Sequence, residues 1–317
     1  MKKITQIFVL AIALSSTAIA QNAATVDMGS AAQKTMPKKN GKVLGIWKKG
    51  GTLNLNATQQ SFNNWIPAGV DEKYNITGAM YLNLFANKTW GKNTWENNAD
   101  LFLAYQTTKL LGSRKVDDRL DLTTKYSRAL RNPKLTFTTL GNLRTQMVNG
   151  FNYVSPTVKL RTSGLFAPAI LTIAPGFSYK PNSNFSVFFA PVAGRATFVT
   201  NGPNEIAINL AQPLPYGVDP SKTVKWEVGY FVSLNYKKEI AKNVTYQGRL
   251  DIYGDYLKRR PDNADIFWTN VLSMKVNNWL NVTYALDFIY DDDTKIRNNK
   301  AEAQIRSMLG VGFAYKF

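Results

Sequence analysis

No cysteine and no histidine occur among the 317 residues of this chain. The first absence excludes disulfides, thiol chemistry and lipidation at a cleavage-site cysteine. The second removes Ser–His and Cys–His nucleophile pairs and every imidazole metal site. A carboxylate pair or a Ser–Lys arrangement is what remains for catalysis. Neither stands at a telling spacing, so neither an enzyme nor a cofactor is expected. Acid is scarce too: 21 Asp and Glu face 39 Lys and Arg, for a net charge of +18. Mean hydropathy is −0.24, and beyond the first residues no run approaches the ~20 apolar residues of a membrane helix. That measure is blind to strands, in which alternating apolar and polar residues average out.

The opening MKKITQIFVLAIALSSTAIA has two lysines, an apolar run from Ile7 to Leu14 and the small-residue site Ala18-Ile19-Ala20. This is the layout of a secretory signal peptide over residues 1–20, with the mature chain starting at Gln21. Without Lys2 and Lys3 the charge is two lower, +16. Such a balance suits anionic lipid or anionic solutes, and export argues against nucleic acid as a partner. Gln21 to about Asn40 is rich in Ala, Asn, Lys and Met without a period. Residues 21–50 therefore read as a periplasmic lead-in and 51–317 as one domain.

From Gly51 onward the sequence falls into about twelve alternating runs bounded by Gly, Pro, Asn or Asp. In WEVGYFVSLNY, Trp226, Val228, Tyr230, Val232, Leu234 and Tyr236 share one face. Glu227, Gly229, Phe231, Ser233 and Asn235 share the other. An apolar face of about ten residues with an aromatic at each end matches a tilted strand crossing a hydrocarbon layer. Other runs start near Leu53, Tyr74, Trp95, Arg119, Leu135, Ile170, Phe185, Val244, Asp265 and Asn281, and the tail MLGVGFAYKF closes the series.

The links alternate in length. Long ones cover about Ser61–Lys73, Thr107–Asp118, Asn149–Pro168, Thr200–Lys222, Lys258–Asn263 and Asp291–Ala303. Short ones lie near Thr89–Lys92, Arg131–Pro133, Pro181–Ser183, Glu239–Lys242 and Asn277–Asn278. This sorting predicts an all-β fold: a transmembrane antiparallel up-and-down β-barrel of about 12 strands in the cell outer membrane. A soluble sandwich has no reason to sort its loops. Closure pairs the last strand with the first, so Phe313, Tyr315 and Phe317 face lipid and resemble a C-terminal signal for the barrel-assembly machinery. Pro175 and Pro191 fall inside strands, where proline removes a ladder donor, and predict bulges or a shifted register.

Several short motifs occur in a telling order: Trp47-Lys48-Lys49-Gly50-Gly51, Asn64-Trp65 with Gly69, Trp95-Glu96-Asn97 and Asp117-Asp118-Arg119. Thr145-Gln146 with Asn149-Gly150, Lys275-Val276-Asn277 and Tyr290-Asp291-Asp292 follow. In these the chain resembles the Bacteroidota outer-membrane barrels of domain of unknown function 3078. The resemblance implies a barrel and a Gram-negative outer membrane, and no settled activity.

Strand parity turns Arg119, Asp121, Lys125, Arg144, Gln146, Arg249, Asp251, Asp255, Lys275, Asp287 and Arg306 toward the lumen. Two interiors fit this mixture of signs. One is a narrow channel for small polar or anionic solutes, with selectivity set by ion pairs. The other is a closed polar core, as in a non-conducting accessory barrel that docks a protein partner through its outer loops or N-terminal segment. Lys258, Arg259 and Arg260 lie on an outer loop and offer a lipopolysaccharide phosphate contact. Asp291, Asp292 and Asp293 are a weak Ca²⁺ candidate, lacking the Gly and distal Glu of an EF-hand and reading as well as a solvated loop.

Overall fold

Alternation of this kind can satisfy the backbone in only one way inside a bilayer, by closing the sheet on itself. The computed structural model describes residues 38–39, 42–43, 45–61, 74–108, 112–132, 134–153, 159–200, 215–219, 221–258, 264–290, 295–297, 300–301 and 303–317. Twelve antiparallel strands form a closed barrel. They are β1 (Trp47–Ser61), β2 (Tyr74–Trp90), β3 (Asn93–Thr108), β4 (Gly112–Ala129), β5 (Leu135–Thr145) and β6 (Ala169–Tyr179). The second half comprises β7 (Phe185–Phe198), β8 (Val224–Ala241), β9 (Val244–Asp255), β10 (Asp265–Lys275), β11 (Leu280–Tyr290) and β12 (Gln304–Lys316). Each strand pairs with its neighbour in sequence, and β12 pairs with β1. No helix among the described residues is long and apolar enough to cross a membrane, which says nothing of strands.

The outer surface is apolar. Trp226, Trp268 and Tyr284 stand exposed, while Glu227, Ser233, Thr269 and Asp287 from the same strands are buried inside. A surface of large apolar side chains around a polar interior is that of an outer-membrane barrel. Aromatic pairs gather at the short-turn end: Trp47 with Trp95 at 5.6 Å, and Trp279 stacked on Phe313 at 5.1 Å. The Lys88 ammonium lies 5.7 Å from the ring centres of both Trp47 and Trp90, as expected of an interfacial belt.

Both expected proline irregularities occur. Register slips between β6 and β7 at Ile173–Phe177, and between β7 and β8 at Ala190–Ala193. At Pro175 the β5 ladder runs on unbroken and the break falls on the β7 side. A third bulge lies between Ala104 and Tyr105 of β3, opposite Val116 of β4.

Two expectations are corrected. The link anticipated over Thr107–Asp118 is only residues 109–111, because β3 and β4 continue their ladder up to Thr108 and Gly112. The bulge at Val116 had broken the alternation there and made a strand read as a loop. The barrel also begins at Trp47, not Gly51, since Trp47–Gly50 pair with Phe85–Lys88. The signal segment and most of residues 21–44 lie outside the described residues.

The β12–β1 seam is short. It has five register pairs, from Gly312↔Asn56 to Lys316↔Thr52, against ten between β11 and β12. Reciprocal bonds between Gly51 and Phe317 extend it, with N–H to O distances of 2.9 and 3.1 Å. Gly51 is required at this point, because a Cβ there would lie 2.5 Å from the Phe317 ring and 2.8 Å from the Asn83 carbonyl oxygen.

Candidate functional site: the lumen

Two groups of ion pairs occupy the interior. The first is centred on Asp121 of β4. Arg144 of β5 donates Nε–H to its Oδ2 at 3.0 Å, and the Asn142 amide and Thr123 hydroxyl donate to its Oδ1 at 2.5 and 3.2 Å. Arg119 and Arg249 also act on this carboxylate electrostatically. Arg249 comes from β9 on the far side of the barrel and holds Asp251 at 2.8 Å. Arg119 is almost fully buried, its guanidinium 5.8 Å from the Phe102 ring centre. Three guanidiniums thus converge near one carboxylate, an arrangement that links opposite walls electrostatically.

The second group joins β7 to β10. Arg195 Nη1 lies 2.8 Å from Asp265 Oδ2 and 3.9 Å from Glu227 Oε2, and Lys225 holds the other Glu227 oxygen at 3.0 Å. The Arg195–Asp265 bond is a chord, spanning an arc that contains β8 and β9. The Arg195 guanidinium carbon also lies over the Tyr253 ring, 3.5 Å from its centre.

Partway along the β5–β9 wall the lumen carries an apolar patch, with the buried polar Thr138, Ser233 and Asp251 on its short-turn side. Leu140, Ala174, Phe188, Ala190, Ala193 and Tyr253 form one buried cluster with Phe231 packed against it. Phe188 and Phe231 meet at 6.0 Å. Beside this patch lies a cavity of about 230 Å³ whose lining reaches Lys115, Gln146 and Tyr216 at the long-loop end. Its upper wall includes Lys115, whose ammonium bonds Asp118 at 3.1 Å, Gln146 at 2.8 Å and the Val148 carbonyl at 2.6 Å. Asp118 in turn accepts the Met147 and Val148 N–H groups at 2.9 and 2.7 Å, which ties the β5–β6 connection to β4. Tyr216 borders the mouth with φ 55° and packs on Ala167, Val199 and Val218. Burial pushes its phenol above its ordinary range, so it stays neutral.

A third polar group lies on β2 and β3. Asp100 accepts from the Tyr81 hydroxyl and the Asn98 amide, and from the Asn83 amide at 2.8 Å. It sits directly opposite Asp121 in the β3–β4 register. Neutral donors surround one of these facing carboxylates and cations the other, which separates their environments.

The predicted lumen residues divide. Arg119, Asp121, Arg144, Arg249, Asp251 and Asp287 are inside as parity required, and Lys125 is half-buried in register with Glu96. Asp255 is buried but serves the turn after β9, accepting the Leu257 N–H at 2.9 Å. Lys275 is a correction: it keeps inward parity but ends β10 at the short-turn rim, exposed to solvent, and lines nothing. Arg306 pairs in register with Asp287 through its backbone, while its side chain lies outside the described residues. So do Arg259, Arg260, Asp291, Asp292 and Asp293; Lys258 is half-buried after the β9 turn. Among the described residues no three acidic side chains come together as a metal site. Phe313, Tyr315 and Phe317 all face outward, exposed.

Sequence reasoning missed Arg195, Lys225, Tyr253 and Lys115. For Arg195 the reason is the Pro191 bulge. Phe188 and Ala190 are buried before it and Ala193 after it, so simple alternation assigns Arg195 to the wrong face.

No curated protein matches the chain in sequence. Among solved structures, an outer membrane channel from Pseudomonas putida F1 is similar at TM-score 0.42 and 10% identity, over 89% of this chain and 100% of that one. The translocator domain of autotransporter NalP from Neisseria meningitidis is similar at TM-score 0.39 and 7% identity, over 86% and 89%. The outer membrane phospholipase A of Escherichia coli reaches TM-score 0.33 and 9% identity, over 84% and 89%. Likeness at that level assigns no activity, and the functional reading rests on the geometry of this chain. The model of the protein family of unknown function DUF3078 matches residues 57–151, the stretch from the end of β1 to the start of the β5–β6 connection.

Proposed function

We propose that this chain is an outer-membrane barrel that admits small polar solutes from its long-loop end as far as an apolar constriction, a narrow passage pinched by the patch around Leu140 and Phe231. The observation that carries this reading is the cavity of about 230 Å³, walled by charged side chains and bordered by the apolar patch of Leu140, Phe231 and Tyr253. An apolar constriction in a polar lumen resists water and ions, and so gates without a moving lid. The lining is balanced, with five cationic and five anionic side chains. It therefore supports polar solutes in general, and the overall basic charge does not translate into an anion-selective wall.

Planar-bilayer recording tests this. The wild-type barrel is expected to pass little or no steady current, and the Leu140→Ala/Phe231→Ala variant a steady ohmic one. A large steady conductance in the wild type would show that the apolar patch is no constriction. A silent double variant that still migrates as a folded barrel would favour the accessory, non-conducting reading.

A further inference from the structure

We propose that the outer face of β1–β4, at its short-turn end, binds the headgroup of an anionic phospholipid from the periplasmic leaflet. Strand register aligns Trp47, Lys88, Trp95 and Tyr126 in one outward row across the four strands. The row on its rim side holds Trp90, Asn93 and Arg128, and the row on its membrane side holds Lys49, Ala86, Asn97 and Thr124. Polar groups on a lipid-facing wall are informative where apolar ones are not. Here they are joined: the Trp95 indole N–H donates to the Thr124 hydroxyl at 2.8 Å, and that hydroxyl to Asn97 Oδ1 at 2.8 Å. The Tyr126 hydroxyl donates to Asn93 Oδ1 at 3.1 Å. The patch ends at β4, because the row through Arg128 continues as Phe137 on β5 and Phe177 on β6, two rings 5.6 Å apart.

The second observation is charge. Lys49 and Arg128 are exposed, Lys88 lies against the rings of Trp47 and Trp90, and Lys92 is exposed in the β2–β3 turn. The three rows contain no Asp or Glu, and the neighbouring Glu96 has the opposite strand parity, in register with Lys125. Among the described residues none of these four cations is ion-paired, whereas Lys115, Arg144, Arg195, Lys225 and Arg249 in the lumen all are. Unpaired cations set into an aromatic belt suit a lipid whose phosphate meets the cations while its acyl chains lie on the rings. A free phosphate gains nothing from the rings. A zwitterionic lipid carries its own ammonium, so surplus cations select a headgroup of net negative charge. Short turns mark the periplasmic side, which fixes the leaflet. The site does not depend on whether the lumen conducts.

The experiment is native mass spectrometry of the full barrel released from neutral detergent, with equal amounts of phosphatidylglycerol and phosphatidylcholine of the same acyl chains. The wild type is expected to retain phosphatidylglycerol about tenfold over phosphatidylcholine, the effect of one or two surface cations. Lys49→Gln/Lys88→Gln/Arg128→Gln should lose that preference while keeping the gel mobility of a folded barrel. Lys49→Arg/Lys88→Arg/Arg128→Lys should retain it. So should Lys134→Gln/Lys238→Gln/Lys242→Gln, which removes as many exposed charges from the same rim beyond β4. Loss of the preference in this last variant would mean that overall charge is at work and no site exists. Displacement of the lipid by inorganic phosphate would make this a free-anion site and sink the lipid assignment. Equal retention of the two lipids by the wild type, or retention of neither, overturns the proposal and leaves these cations to an acidic protein partner.

Discussion

Replacing Asp121 by Asn changes one charge and almost nothing else, since the amide keeps the shape and can still accept from the Asn142 and Thr123 side chains. What it removes is the counter-charge for Arg144 at 3.0 Å and the electrostatic partner of Arg119 and Arg249. The side chains of Asp121 and Arg144 are 9% and 20% exposed, so solvent screens little of the loss. Breaking a buried pair by neutralising one member costs about 3–5 kcal/mol, and three like charges crowded together add repulsion. The expected loss is about 3 kcal/mol, allowing for the water in the adjoining cavity. Urea unfolding in lipid vesicles, followed by tryptophan fluorescence, measures it. Arg144→Gln in the Asp121→Asn background should recover about 2 kcal/mol by removing the stranded guanidinium. A single variant within about 0.5 kcal/mol of wild type, or a double variant no better than the single, would refute the claim that Asp121 holds these arginines together.

Two further outcomes follow from the outer surface and the seam. Phe189 lies outward on β7, 45% exposed, and Phe189→Arg should destabilise the barrel in vesicles by about 2–4 kcal/mol; an unchanged unfolding midpoint would mean that this face does not meet lipid. Gly51→Ala places a Cβ against the Phe317 ring and the immovable Asn83 carbonyl. It should cost about 1–3 kcal/mol and slow the appearance of the folded gel band on refolding, and wild-type folding would show that the seam tolerates a wider spacing.

Much of the barrel was legible in the chain because the information is local. Side chains in a strand alternate with period two wherever the backbone is regular, so WEVGYFVSLNY places Trp226 and Val228 outside, and Glu227 and Ser233 inside, without knowledge of any neighbour. The loss of alternation at Val116 and Pro191 shows the limit of that rule. One extra residue reverses every later assignment, which hid the true length of β4 and the inward aim of Arg195.

Strand number, the apolar outside and the polar identity of the interior were thus determined by the sequence alone, since each depends on residues adjacent along the chain. Only the tertiary structure decided that Arg195 reaches Asp265, that Arg249 comes within electrostatic range of Asp121, and that Leu140, Phe188 and Phe231 converge into one apolar patch. Those contacts join strands far apart in sequence, and whether they meet depends on barrel closure and register, which set the distance across the lumen and are properties of the whole sheet.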